Sequence, residues 1–220
     1  MQLLLATSAL LVSCSTLAQD NSSVCGPLKN HYGPFDYRTD RGEPLDLVNQ
    51  AHFTPQIEAL IRGNTGSIGQ DLSYTLRTFP NHHKALMTMM KYAQKLKTQQ
   101  PQDVDFSVDC YFERALRFRP DDVVVRMMYA SFLTTNEHIP QARQELEQVA
   151  KIAGDNAFTH YNMGLVYLDM KEYKKALAEA HTAMALGLGQ TGLRDKLIRS
   201  GHWRAPKETS SPAETDPVKP

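Results

Sequence analysis

Residues 160–188, HYNMGLVYLDMKEYKKALAEAHTAMALGL, read as two amphipathic helices separated by a tight turn at 169–172. Moved back by 34 residues (164 − 130 = 34), the same grammar returns: Gly164 falls on Ala130, Tyr167 on Leu133, Tyr173 on Ile139, Ala176 on Ala142 and Ala183 on Val149. Small residues recur where two antiparallel helices would approach closely, and bulky ones recur beside them. Pro140 sits in the first turn of the second helix, where its missing N–H costs little. A period of this length belongs to chains in which each helical pair buries its apolar side against the next pair. The alternative is an unrelated bundle of helical hairpins.

Earlier copies are more irregular. CYFERALRFRPDD (110–122) places Ala115 and Pro120 where the unit takes a small residue and a closing proline. Its first helix is NHHKALMTMMKYAQKL (81–96), with Leu86, Met89, Met90 and Ala93 on one stripe. The segment KTQQPQDVD lengthens the turn between them. A still earlier copy ends at DLSYTLRTFPNH (71–82), where Pro80 aligns with Pro120. Its partner is the stretch ending at Gly63, read as a helix C-cap, with a break near Thr54 imposed by Pro55. TGLRDKLIRSGHW (191–203) reads as a terminal helix covering the last open face.

On these residues the chain resembles tetratricopeptide (TPR) repeat proteins, over 123–156 and 157–190 above all. The blocks CGPLKNHYGPFDYR, HFTPQIEALIRG, DLSYTLRTFPNHHKAL and CYFERALRFRPDD are similar to those of a group of exported bacterial TPR proteins. The resemblance implies an all-α, right-handed TPR-like helical-hairpin solenoid of about three and a half helix pairs over 45–203. It also implies an irregular N-terminal arm over 19–44 and a C-terminal capping helix. It implies no chemistry.

The ends of the chain bear on compartment. LLLATSALLV (3–12) is too short to span a bilayer and has the length of a signal-peptide core, followed at once by polar QDNSS. Residues 1–18 are therefore expected to direct export, although Met1-Gln2 lacks the usual basic start. The other reading is a buried first helix. STLA places Thr16 and Ala18 before a cleavage point, whereas LVSC (11–14) resembles a lipobox that would make Cys14 a lipidated N-terminus. The expected location is the periplasm, or the outer membrane if Cys14 is lipidated; membrane contact is expected in that case alone. APKETSSPAETDPVKP (205–220) carries four prolines and almost no large apolar residue, so residues 204–220 are expected to be a disordered tail.

Several chemistries are excluded by motif. Lys plus Arg and Asp plus Glu both total 24, so no basic excess marks a nucleic-acid footprint. GLGQTG (187–192) matches G-x-G-x-x-G, but it follows a repeat helix, whereas a dinucleotide site needs a strand there. G-x-S-x-G, H-E-x-x-H, the P-loop and C-x-x-C are absent. His82 and His83 are adjacent and diverge on a helix, and His160 and His181 lack ligand-spaced neighbours, so no metal is expected. No cofactor is expected either, and the NSS sequon at 21–23 reads as chance.

Cysteines stand at 14, 25 and 110. With Cys14 removed or lipidated, Cys25 and Cys110 are the remaining pair, and in an oxidising compartment a disulfide is the simplest outcome. Two separate buried thiols are the alternative. By resemblance, the first helices line a groove that takes a peptide, here through Met127, Ser131 and Thr135, then Tyr161, Leu165, Leu168 and Asp169. Tyr161, Leu165 and Leu168 recur at i, i+4 and i+7 and so share a face. The expected function is a non-enzymatic adaptor or assembly factor of the bacterial envelope. The competing reading is a structural subunit whose groove is filled by its own arm.

Overall fold

A computed structural model of the chain describes residues 24–206. The expected export signal, Cys14 and the tail beyond residue 206 lie outside the described residues. Those described form ten helices and no strand: α1 (Glu43–Ala51), α2 (Pro55–Glu58), α3 (Ile68–Thr78), α4 (His83–Leu96), α5 (Val108–Phe118), α6 (Val123–Thr135), α7 (Ile139–Ala153), α8 (Ala157–Asp169), α9 (Tyr173–Ala185) and α10 (Gly192–Arg199). None of them is long and apolar enough to cross a membrane.

Local chemistry explains most boundaries. Pro80 and Pro120 end the preceding helices, and two residues later a side chain caps the next one. His82 accepts from the Ala85 N–H at 3.1 Å to start α4, and Asp122 accepts from the Val125 N–H at 3.1 Å to start α6. Ser67, Ser107 and Asn156 cap α3, α5 and α8 in the same way. The turns also repeat: Glu137 and Lys171 both adopt left-handed backbone, at φ 63° and 60°. They are 34 residues apart (171 − 137), so the period extends to the backbone of the turn. Gly63 is not a C-cap. Pro55 breaks the stretch at Thr54, α2 stops after a single turn, and the chain turns at Leu60 (φ 55°).

The hairpins α6–α7 and α8–α9 are the most intimate pairs, and α6 lies beside both α4 and α8. Ala130, Ala142, Val149, Met163, Ala176, Ala180 and Ala183 are buried along these contacts. α10 packs on α8 and α9. Gly164 makes that possible: a Cβ there would sit 2.3 Å from Leu193 Cδ2 and 3.3 Å from the Ala176 carbonyl oxygen. Leu193 is itself buried, so it has little room to retreat. Gly164→Val is expected to cost about 2–3 kcal/mol by overpacking. Thermal denaturation checks it; melting like the wild type would mean that α10 does not seat on α8.

Residues 24–42 run against α3 and α5. The Cys25 and Cys110 sulfurs are 2.02 Å apart, at bonding distance, with the Cα atoms 5.1 Å apart. Arg114, buried on α5, donates to the carbonyls of Cys25 and Pro27 at 2.9 and 2.8 Å and lies over the Phe106 ring. Farther along, the Phe35 N–H donates to the Thr78 carbonyl at 2.8 Å. A second core of Leu45, Val48 and Phe79, joined by Tyr32, Phe35, Tyr37 and Tyr74, packs this segment down.

Between the arm and the two proline turns lies a buried polar knot. Asp36 accepts from Asn81 Nδ2 at 2.7 Å, from Arg38 Nη2 at 2.9 Å, and pairs with Arg119 at 2.7 Å. Asn81 also donates to Asp122 at 2.9 Å, and His83 Nε2 lies 3.0 Å from the same carboxylate. Burial works against the charge of Asp36. The hydrogen bonds from Arg38 and Asn81 outweigh it and hold the carboxyl well below the usual range. Asp122 is lowered on the same terms, with burial opposed by His83 and Asn81.

Candidate functional site

α6 (VVVRMMYASFLTT) and α8 (AFTHYNMGLVYLD) are apolar almost all round, unlike α3, α5 and α7. A helix of that kind has a second face to cover. One face of α6 enters the core through Val125, Ala130, Phe132 and Leu133. The other, with Val124, Met127, Met128 and Ser131, forms the floor of a cleft of about 420 Å³. α4 supplies Met87 and Met90 to one wall; α8 supplies Thr159, Asn162, Leu165, Val166 and Asp169 to the other. Lys196 of α10 also lines it. Val124 is 47% exposed and Met87 39%.

Four of the residues expected from the repeat phase line this cleft: Met127, Ser131, Leu165 and Asp169. Thr135 lies in a neighbouring hollow with Met90, Phe132 and Asn136. Tyr161 and Leu168 do not line this cleft, although Leu165, which does, is half-buried against the core just as they are. The Tyr161 hydroxyl would lie 2.6 Å from a Cβ on Gly192, so the start of α10 covers it. The i, i+4, i+7 stripe spans a boundary between core and cleft.

Sequence reasoning missed the methionine wall of α4 and the α6 residues Val124 and Met128. A signal was present in the lack of amphipathic contrast in α6 and α8, which marks two apolar faces. The side chains are of the right kind for adaptable apolar recognition, because the unbranched thioether adjusts to irregular surfaces. The titratable groups lining the cleft are Asp169 and Lys196.

The arm does not occupy this cleft: none of residues 24–42 lines it. Its ties to Cys110, Arg114, Thr78 and Asn81 hold it to α3, α5 and their turns, whereas the cleft belongs to α4, α6 and α8. A groove filled by its own arm is therefore not what the described residues form. Cys25, Cys110 and Glu113 also fall at ligand spacing, but the two sulfurs there are at bonding distance from each other. Comparison of the chain with protein-family models, with curated proteins and with solved structures finds no match, so the chemistry of the cleft is read from its own residues.

Proposed function

We propose that this chain is a non-enzymatic adaptor of the bacterial cell envelope, built as a right-handed TPR-like solenoid, which binds an amphipathic segment of a partner protein between α4, α6 and α8. The observation that carries the reading is the exposed methionine and valine surface of the cleft, flanked by one acid and one base. Support for the repeat architecture comes from the hairpins α6–α7 and α8–α9, from α6 lying beside both α4 and α8, and from the turn conformation recurring after 34 residues. Support for export comes from the apolar run before Ala18 together with a Cys25–Cys110 pair at bonding distance, since disulfides persist in oxidising compartments. Recognition of this type lays an apolar helix face into a groove.

The test uses a photo-crosslinking residue at Val124 and, for comparison, one at Glu147 on α7. Adducts with envelope proteins are expected from position 124 and not from 147. Introducing Met87→Glu and Val124→Glu together is expected to weaken capture by about 2 kcal/mol, the scale of an interface hot spot, with little change in melting. A double variant that melts normally and keeps the same adducts would defeat the reading.

A further inference from the structure

Residues 97–107 join α4 to α5, whereas 136–138 and 170–172 suffice for the two later hairpins. The extra length is fixed in place. Asp103 accepts from Ser67 Oγ at 2.6 Å, from the Gly69 N–H at 3.0 Å and from the Tyr92 hydroxyl at 2.9 Å, and Val104 is buried. Such a segment is more than a connection. What it adds to the surface is Gln99, whose carbonyl accepts from the Val108 N–H at 3.0 Å and whose side-chain amide donates to Asn136 Oδ1.

Gln99 stands between two hollows. The larger, of about 550 Å³, lies among the start of α5, the C-terminal part of α6 and the start of α7. The smaller, of about 300 Å³, is the one that holds Thr135, and the two share Gln99, Phe132 and Asn136. Both volumes fall within the range of small-molecule sites. The larger has an aromatic wall. Tyr129 is half-buried there, with Phe112 stacked on it at 5.1 Å and Phe132 at 6.3 Å.

The polar groups of this cleft can be reached by a ligand, because Gln99, Asp109, His138 and Gln141 are all exposed. The Tyr129 hydroxyl donates to Asp109 Oδ1 at 2.7 Å, which leaves the phenolic oxygen and Asp109 Oδ2 as acceptors. Gln99 keeps its side-chain carbonyl as an acceptor, and the Gln141 amide and His138 ring each offer a donor and an acceptor. Asp109 is the single carboxylate, and no Lys or Arg lines the larger cleft among the described residues.

This set narrows the class. An anion would meet Asp109, and a cation would find one carboxylate that already holds the Tyr129 hydroxyl. An apolar side chain would find little surface, since Phe132 and Leu133 are 7% and 2% exposed, in contrast to the methionine cleft. Hydroxyls, each of which donates and accepts, match the amides, imidazole and carboxylate, and the C–H face of a sugar ring matches the flat ring of Tyr129. We propose that this cleft binds a short neutral oligosaccharide, stacked on Tyr129, hydrogen-bonded to Asp109, His138 and Gln141, and running past Gln99 into the smaller hollow. The proposal does not depend on what occupies the methionine cleft.

Isothermal titration calorimetry of the full chain tests this, with maltotriose, cellotriose and triacetylchitotriose as probes. At least one is expected to give a saturable heat with one site per chain. Trigalacturonic acid, which carries a carboxylate on each ring, should bind at least about tenfold more weakly. Gln99→Ala and Gln141→Ala change exposed side chains, so both should melt like the wild type while weakening the sugar by about tenfold. Met87→Glu with Val124→Glu alters the other cleft and should leave sugar binding unchanged. No saturable heat from any of the three probes overturns the proposal. Binding that survives both glutamine substitutions, or that is lost in the Met87 and Val124 double variant, does so too by placing the sugar elsewhere. Equal or tighter binding of trigalacturonic acid would end the neutral-sugar assignment.

Discussion

Opening the Cys25–Cys110 bond, by reduction or by Cys110→Ser, is expected to lower the stability of the folded chain by about 4–5 kcal/mol. The bond closes a separation of 85 residues. In the chain-entropy description, a loop of that length restricts the unfolded state by about this amount at 25 °C. For a domain of this size the melting temperature should fall by on the order of 10–15 °C. The effect also has a local part, because the bond holds the carbonyls of Cys25 and Pro27 against buried Arg114. Once the arm frays, that guanidinium loses these acceptors and water takes their place. Residues near Gly26 should then become the first site of proteolysis. Differential scanning calorimetry with and without reductant measures the first effect, and limited proteolysis followed by intact mass measures the second. Equal melting in both conditions, with the arm still protected, would mean that the arm is held by its hydrogen bonds and aromatic packing alone.

Acid is expected to weaken the fold from about pH 6.5 downward, and His82 is the main cause. Burial depresses its pKa from 6.5 to about 3, with lesser contributions from the nearby cations Lys84 and Arg41. The sign follows from proton counting. Below pH 6.5 the unfolded chain binds a proton at this position that the folded chain refuses, so stability falls with pH until the folded value is reached. Over that window the loss amounts to roughly 4 kcal/mol. Only below about pH 4 do the depressed carboxylates Asp36, Asp71, Asp103 and Asp122 add to it, because their contribution is present above the unfolded value of 3.8 and lost beneath it. His160 acts in the opposite sense. Burial opposes its charge, but the hydrogen bond with Glu179 outweighs burial and raises its pKa, so its contribution is full below 6.5 and fades as pH rises. Stability should therefore peak near neutrality. His82→Asn keeps a side-chain acceptor for the first turn of α4 and removes the titration. Urea denaturation at about pH 7, 5 and 4 should show a flatter profile for this variant than for the wild type. Parallel profiles would assign the acid sensitivity elsewhere.

Much of the helical framework was legible in the residues because it is local. The 34-residue phase, the proline stops at Pro80 and Pro120, the cap positions two residues later and the break at Pro55 all act within a few residues. The same phase placed Met127, Ser131, Leu165 and Asp169 on the cleft, since a helix face is a matter of spacing. Tyr161 and Leu168 lie on α8 outside that lining. α8 is apolar around most of its circumference, and periodicity alone cannot tell which apolar face another element will cover. α10 decides that by resting against Gly164.

The side taken by the arm was beyond any local signal. Cysteine counting suggested that Cys25 reaches Cys110, but not which surface of α5 lies between them. The arm's path is selected by contacts separated by forty residues or more in sequence: Arg114 to Cys25, Asn81 to Asp36, and Tyr37 to His82. The polar cleft around Gln99, Tyr129 and Gln141 has the same origin. Its groups come from the long α4–α5 turn, α5, α6 and the start of α7, and only chain folding makes them neighbours. The sequence by itself determined the elements and their phase, because backbone propensity, capping and amphipathic spacing are short-range. The tertiary structure alone decided which faces close and which remain open, because that choice rests on burial among residues distant along the chain.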